Sequence, residues 1–207
     1  LVNILKINNM GLNGYELDIK IGEQIIENLH FTLCGDFQLE NLITALTTIQ
    51  VLIYKGYEVA TASIRKGLSS LKIPGRLEVI SSDPLVILDV AHNPHGASAV
   101  EKALQSLLPN QSKMVICGIV DDKDAYRVLK HMGKNTLGCI ITRPEGRRGE
   151  NWLRLLPIWQ ELYPNIPIYV IENIEEAVTH GLKKITDAEY LLICGSFYII
   201  DRARRFF

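Results

Sequence analysis

The sequence predicts an α/β protein: a mostly parallel sheet with helices on both faces, preceded by a β-ribbon and two helices. Two patterns carry that expectation. From Pro74 onward, short all-apolar runs alternate with amphipathic stretches, as when strands buried on both faces are linked by helices. Before Pro74, β-rich pieces are separated by Gly11, Asn13-Gly14 and Gly22-Glu23, the punctuation of an antiparallel ribbon. With 207 residues and 47% hydrophobic content, the chain is long enough to bury a substantial core.

Taken in order, strands are expected over residues 2–7, 15–19 and 24–34. A helix is expected over 38–54, where Leu39, Leu42, Ile43, Leu46, Ile49, Leu52 and Ile53 recur at helical spacing, and a second over 59–68 around Ala60, Ile64, Gly67 and Leu68. A ribbon with two helices is an unusual self-contained fold and reads as the end of a domain whose main sheet lies elsewhere. Lys72-Ile73-Pro74-Gly75 interrupts both periodicities and sets a boundary between 1–73 and 74–207. Beyond it, strands are expected over 85–90, 114–118, 138–142, 168–171 and 190–194. Helices are expected over 97–108, 122–131, 151–162 and 174–184, giving a Rossmann-like order.

A net charge of −1 and a pI near 6.6 offer no electrostatic footprint for nucleic acid or an anionic membrane. The basic run Arg202-Ala203-Arg204-Arg205 reads as a solvated helix end favoured by the helix dipole. Cys34, Cys117, Cys139 and Cys194 form no CxxC pair, so neither a zinc site nor a disulfide framework is indicated; they read as buried thiols of a cytoplasmic protein. No signal peptide and no apolar stretch of membrane-spanning length is present in the sequence. The first residue is Leu1, which raises the expectation of a fragment or a processed product.

The chemistry concentrates in Pro74-Gly75-Arg76-Leu77-Glu78 and in Ile87-Leu88-Asp89-Val90-Ala91-His92-Asn93-Pro94-His95-Gly96. An apolar strand there runs into Asp, His and Asn, and Pro then opens a helix, so these groups fall at a strand's carboxyl end, where open α/β sheets bind ligands. Asp89 is placed to accept hydrogen bonds from a nucleotide ribose and His92 to approach reacting groups. The alternative is that Asp89 caps the following helix while His92 and His95 lie on the surface. Nothing nearby completes a metal site with these two histidines. Arg76 is suited to bidentate pairing with phosphate, or else forms a surface pair with Glu78. Cys34-Gly35-Asp36-Phe37-Gln38-Leu39-Glu40-Asn41 reads on its own as a helix start capped by Asp36.

The two segments together resemble the GRLE…LDGAHNP-type signature of folylpolyglutamate synthases and dihydrofolate synthases, ATP-dependent amide ligases of the Mur ligase superfamily. Residues 35–41 resemble the G-[HD]-[QYF]-Q-x-x-N segment that ends their central domain, Gly118 to Asp124 their DKD motif, Thr142-Arg143-Pro144 with Arg147 their T-x-P…R segment, and Gly195-Ser196-Phe197-Tyr198 their GSxY segment. The resemblance implies that 1–73 is the C-terminal part of the central domain and 74–207 the glutamate ligase domain. It implies ligation of L-glutamate to a folate or dihydropteroate carboxylate through an acyl phosphate, with ATP and Mg²⁺. Asn41, Arg76 and Asp89 would contact ATP. His92 would be catalytic and, with Ser196 and Tyr198, would orient glutamate.

The family's phosphate loop, G-x-x-x-x-G-K-[ST], occurs nowhere in the sequence, and its magnesium-holding residues have no counterpart, so no metal ligand is expected here. Val90 stands where Gly is usual and Phe37 where Tyr or Gln is common. The expectation is a C-terminal portion that is inactive without an N-terminal ATPase region of the same enzyme. Two other readings remain: another Mur-type amino-acid ligase, and a non-catalytic nucleotide-binding or interaction domain.

Overall fold

The chain divides at Pro74 into two units, residues 1–73 and 74–207. The structure, a computed structural model, describes residues 2–207. In the first unit β1 (Val2–Asn9), β2 (Tyr15–Ile21) and β3 (Gln24–Phe31) form an antiparallel sheet in that order. Alternation along β2 sends Tyr15, Leu17, Ile19 and Ile21 inward, where they meet Ile26, Leu29 and Phe31 of β3. Leu42 and Leu46 of α1 (Asp36–Tyr54) and Ile64 of α2 (Thr61–Ser69) close this core.

Two expectations for this unit need correction. The third strand ends at Phe31, because the chain turns at Gly35 (φ 92) to enter α1. Leu52 and Ile53, placed on the inner stripe by their spacing, are 39% and 40% exposed, since the last turns of the 19-residue helix have nothing packed over them.

The second unit is a six-stranded sheet in the order β4-β5-β9-β6-β7-β8. Five strands are parallel: β5 (Leu85–Asp89), β6 (Ser112–Cys117), β7 (Thr136–Ile141), β8 (Ile168–Val170) and β9 (Glu189–Cys194). Each falls within two residues of its expected span. β4 (Glu78–Ser82), which the sequence pattern does not reveal, adds an antiparallel edge beside β5.

Helices cover both faces. α3 (Pro94–Leu107), α4 (Ala125–Met132) and α5 (Leu155–Leu162) pack side by side, while α6 (Ile174–Leu182) packs with α7 (Phe197–Phe206). Period-two alternation explains the division. Val86, Leu88, Ile116, Ile140, Leu191 and Ile193 point to the core under α6 and α7. Their neighbours Ile87, Val115, Cys117, Cys139, Ile141, Leu192 and Cys194 are buried on the other face.

Local chemistry sets the helix starts. α4 begins at Ala125 because Asp124 is its cap, accepting from the Arg127 N–H at 3.0 Å. A short 3₁₀ turn, Trp152–Arg154, precedes α5, so Pro157 lies in the first helical turn, where its missing N–H costs nothing. At the amino ends of the strands, Lys113 and Glu101 form a buried ion pair at 3.0 Å. Among the described residues there is no disulfide, and all four cysteines are buried. No helix among them is long and apolar enough to cross a membrane.

Candidate active site

The register of the parallel strands brings the chemistry to one edge. Asp89 of β5 lies opposite Cys194 of β9, and Cys194 opposite Cys117 of β6. The loops that follow these three strands therefore leave the sheet level with one another and side by side.

Asp89 is 1% exposed, and both its carboxylate oxygens are used. Oδ1 accepts the N–H of Ala91 at 2.8 Å and Oδ2 that of Leu77 at 2.9 Å. The second bond fixes Leu77 at φ 45, a left-handed conformation unusual for a branched residue, and so pins the Gly75–Leu77 turn to the end of β5. Gly75 (φ 66) is required there: a Cβ would lie 2.7 Å from Cγ1 of Val90, whose N–H donates to the Gly75 carbonyl at 2.9 Å. Burial pushes the Asp89 carboxyl from 3.8 up to about 6, against the opposing pull of the two N–H donors and the Arg76 charge.

The cap of α3 is Asn93, not Asp89. Its Oδ1 accepts the Gly96 N–H at 2.8 Å, with Pro94 in the first turn. Asn93→Ala is expected to cost about 1 kcal/mol of stability by denaturant titration, the usual worth of a cap. His92 is half-buried, and its Nδ1 lies 2.9 Å from the Val90 carbonyl. A carbonyl only accepts, so Nδ1 carries the proton and the neutral ring keeps a lone pair on Nε2. His95 is exposed.

Arg76 is exposed and, among the described residues, has no carboxylate within ion-pairing distance. The expected alternative partner, Glu78, is already engaged: its Oε2 accepts the Gly75 N–H at 2.7 Å and pairs with Arg204. The terminal basic run is accordingly not just a solvated end, since Arg202 also pairs with Glu145 and Glu175.

After β9, Gly195 (φ 110) leads into α7, whose cap is the buried Ser196; its Oγ accepts the Tyr198 N–H at 3.2 Å. A Cβ on Gly195 would sit 2.8 Å from the Gly118 carbonyl oxygen, so the β9 and β6 exits touch backbone to backbone. Tyr198 is 44% exposed. Of the arginines after β7, Arg148 rather than Arg147 turns into the neighbouring loop, where Nη2 meets both Asp122 oxygens at 2.6 Å. The family resemblance had pointed to its neighbour, Arg147.

Asn41 belongs to the first unit. It is exposed on the first turns of α1, and its Nδ2 donates to Oε1 of the buried Gln38 at 3.0 Å. Asp36 is not the helix cap; the cap position is Gly35, and Asp36 accepts the Tyr15 hydroxyl at 3.1 Å. Burial and that bond hold the Tyr15 phenol well above its ordinary pKa.

Neither Cys139 and Cys194 nor the cavity beside β8 supplies reacting groups. Burial pushes the Cys139 thiol far up, and a hydrogen bond with Cys117 together with burial does the same to Cys194, so neither is a nucleophile. The cavity beside β8 and α6, about 1050 Å³, is lined by Arg143 and Arg202, whose charges Glu172, Glu145 and Glu175 already satisfy. Among the described residues no three His, Cys, Asp or Glu side chains gather to hold a metal ion.

An open, mostly parallel sheet covered by helices, with an imidazole, a guanidinium and a helix-capping hydroxyl at its carboxyl edge, defines a Rossmann-like α/β domain. The chain belongs to the Mur ligase family: residues 75–197 match the model described as Mur ligase, glutamate ligase domain. A dihydrofolate synthase/folylpolyglutamate synthase of Haemophilus influenzae is 27% identical over 195 residues, covering 84% of this chain and 43% of its own length. The folylpolyglutamate synthase of Thermotoga maritima superposes with a TM-score of 0.80 at 28% identity, over 99% of this chain and 45% of that one. A bifunctional folylpolyglutamate synthase/dihydrofolate synthase of Yersinia pestis, complexed with AMPPNP and Mn ion, gives 0.74 at 26% identity, over 97% and 45%. The chain thus spans less than half the length of these relatives.

Proposed function

We propose that this chain is the C-terminal portion of an ATP-dependent ligase that joins the amine of L-glutamate to a carboxylate of folate or dihydropteroate. The observation that carries this reading is the adjacency of the β5 and β9 exits, which sets His92 and Ser196 on neighbouring loops at one edge. ATP, when bound, supplies the phosphoryl group that activates the acceptor carboxylate as an acyl phosphate.

The residues act before and during amine attack. Arg76, without a carboxylate partner, neutralises phosphate charge on the rigid turn that Asp89 holds, and Asp89 offers its remaining lone pairs to ribose hydroxyls. Asn41, on the first unit, contacts the nucleoside. His92 presents Nε2 as an acceptor for a proton of the glutamate ammonium, while Ser196 and Tyr198 at the start of α7 orient the amino acid. Ligands for Mg²⁺ are expected from the phosphate-loop region, since among the described residues no three His, Cys, Asp or Glu side chains gather.

The residues fit a nucleotide and an amino acid but include no phosphate loop, so the 207 residues alone are expected to show no ligase turnover. Glutamate-dependent ADP release is the test. It is expected from the ligase polypeptide that joins this chain to a phosphate-loop region, with dihydropteroate or tetrahydrofolate supplied separately, and to fall at least about tenfold in His92→Ala. ADP release indifferent to glutamate, or unchanged in His92→Ala, would overturn the assignment.

A further inference from the structure

Position 38 breaks the pattern of its own helix. Along α1 the inward stripe runs through residues 38, 42 and 46, and the last two are the leucines that close the core of the first unit. Gln38 is as buried as Leu42, each being 2% exposed. A side-chain amide in such a place costs stability unless it is bonded, and an apolar residue would serve the core better. Its bond runs along the helix: Oε1 accepts from Asn41 Nδ2 at 3.0 Å. The turn that carries both residues is itself held. The Gln38 N–H donates to the Gly35 carbonyl at 2.9 Å, and Asp36 accepts the Tyr15 hydroxyl of β2 at 3.1 Å.

The hydrogen-bonding capacity of Asn41 gives this contact a chemical consequence. A side-chain amide carries two N–H donors on one nitrogen and one carbonyl acceptor. With one N–H committed to Gln38, the exposed Asn41 keeps one donor and one acceptor. That pair complements the edge of a 6-aminopurine, where an amino donor lies beside a ring-nitrogen acceptor. A 6-oxopurine presents two acceptors there, and an unheld asparagine can turn its amino group to both.

We propose that Gln38 is a positioning residue that holds the Asn41 amide in the form read by a 6-aminopurine, setting a preference for ATP over inosine triphosphate. The proposal rests on the reading of Asn41 as a nucleoside contact.

Two measurements test this. In the chain itself, Gln38→Met, of similar volume but without the acceptor, is expected to move the Asn41 side-chain amide NMR signals; signals that stay in place would overturn the contact. In the ligase polypeptide, glutamate-dependent nucleotide cleavage gives kcat/KM for ATP and for inosine triphosphate. Their ratio is expected to fall about tenfold in Gln38→Met, through KM and not kcat, and to recover largely in Gln38→Glu, which restores an acceptor oxygen. Asn41→Ala is expected to lower the ratio as much. A ratio lost in Asn41→Ala but kept in Gln38→Met would overturn the role of Gln38. Equal losses for the two nucleotides in Gln38→Met would do the same, being the mark of a merely structural residue. A ratio kept in both variants sinks the reading of Asn41 as a nucleoside contact, and the proposal with it.

Discussion

Asp89→Ala is expected to lower the stability of the second unit by about 2–4 kcal/mol, because two buried backbone N–H groups, those of Leu77 and Ala91, lose a charged acceptor. A denaturant titration followed by tryptophan fluorescence reads this, both tryptophans lying in this unit. The Arg76 turn is also released, so ATP affinity is expected to fall about tenfold or more.

The pH dependence has a definite sign. A carboxyl raised from 3.8 to about 6 in the folded chain favours folding in its protonated form. That contribution is whole below about pH 4 and is lost as the pH rises through about 6, a total of about 3 kcal/mol. The unfolding free energy of the wild type, less that of Asp89→Asn, is therefore expected to fall by this amount between about pH 4 and 7. A difference that stays flat would show that Asp89 does not titrate there. At neutral pH the chain thus keeps an ionised carboxylate in a dry place, which suits a group that must anchor the turn carrying Arg76.

Gly195→Ala is expected to cost about 3 kcal/mol or more and to raise KM for glutamate further than kcat changes. The position has φ 110, and the added Cβ meets the Gly118 carbonyl oxygen at 2.8 Å and Ile119 Cγ1 at 3.1 Å. Neither neighbour is the free end of a flexible side chain, so relief requires the β9 exit to move, taking Ser196 with it. Gly146→Ala is the control. It shares a positive φ, 84, but a Cβ there meets nothing within 4 Å, so only the conformational cost of about 1 kcal/mol is expected. Equal losses in the two variants would show that backbone strain, not the backbone contact, governs Gly195.

The parallel strands and the site loops were legible because a strand buried on both faces leaves an unmistakable run such as Val86-Ile87-Leu88, and the polar residues follow at once. β4 was not. Glu78–Ser82 offers only Val79 and Ile80 as apolar residues, too few to show a period, and it pairs only along one edge. Of α7 only the basic end was legible: Phe197 and Tyr198 at its start are exposed, and two of the arginines that suggested a solvated end, Arg202 and Arg204, are tied to the distant acids Glu175 and Glu78. The roles of Asn93 and Asp89 could not be divided from spacing, because both can cap a helix; only the hydrogen bonds separate them. Arg148 was missed for a related reason, since two adjacent arginines in a loop carry no signal of which one turns inward.

β9 lies in the middle of the sheet, between β5 and β6, yet it is the last strand to be synthesised. Until β9 is made, the edges of β5 and β6 that it joins in the finished sheet have no partner in that position. Open edges of this kind invite pairing with the wrong chain. The unit can close only once residue 194 is free, and the loop that bears Gly195 and Ser196 is made in the same moment. A translational pause shortly before β9 would lengthen exposure of that slot, whereas swift synthesis through it would shorten it. Closure of the sheet and completion of the candidate site thus both depend on the same six-residue strand.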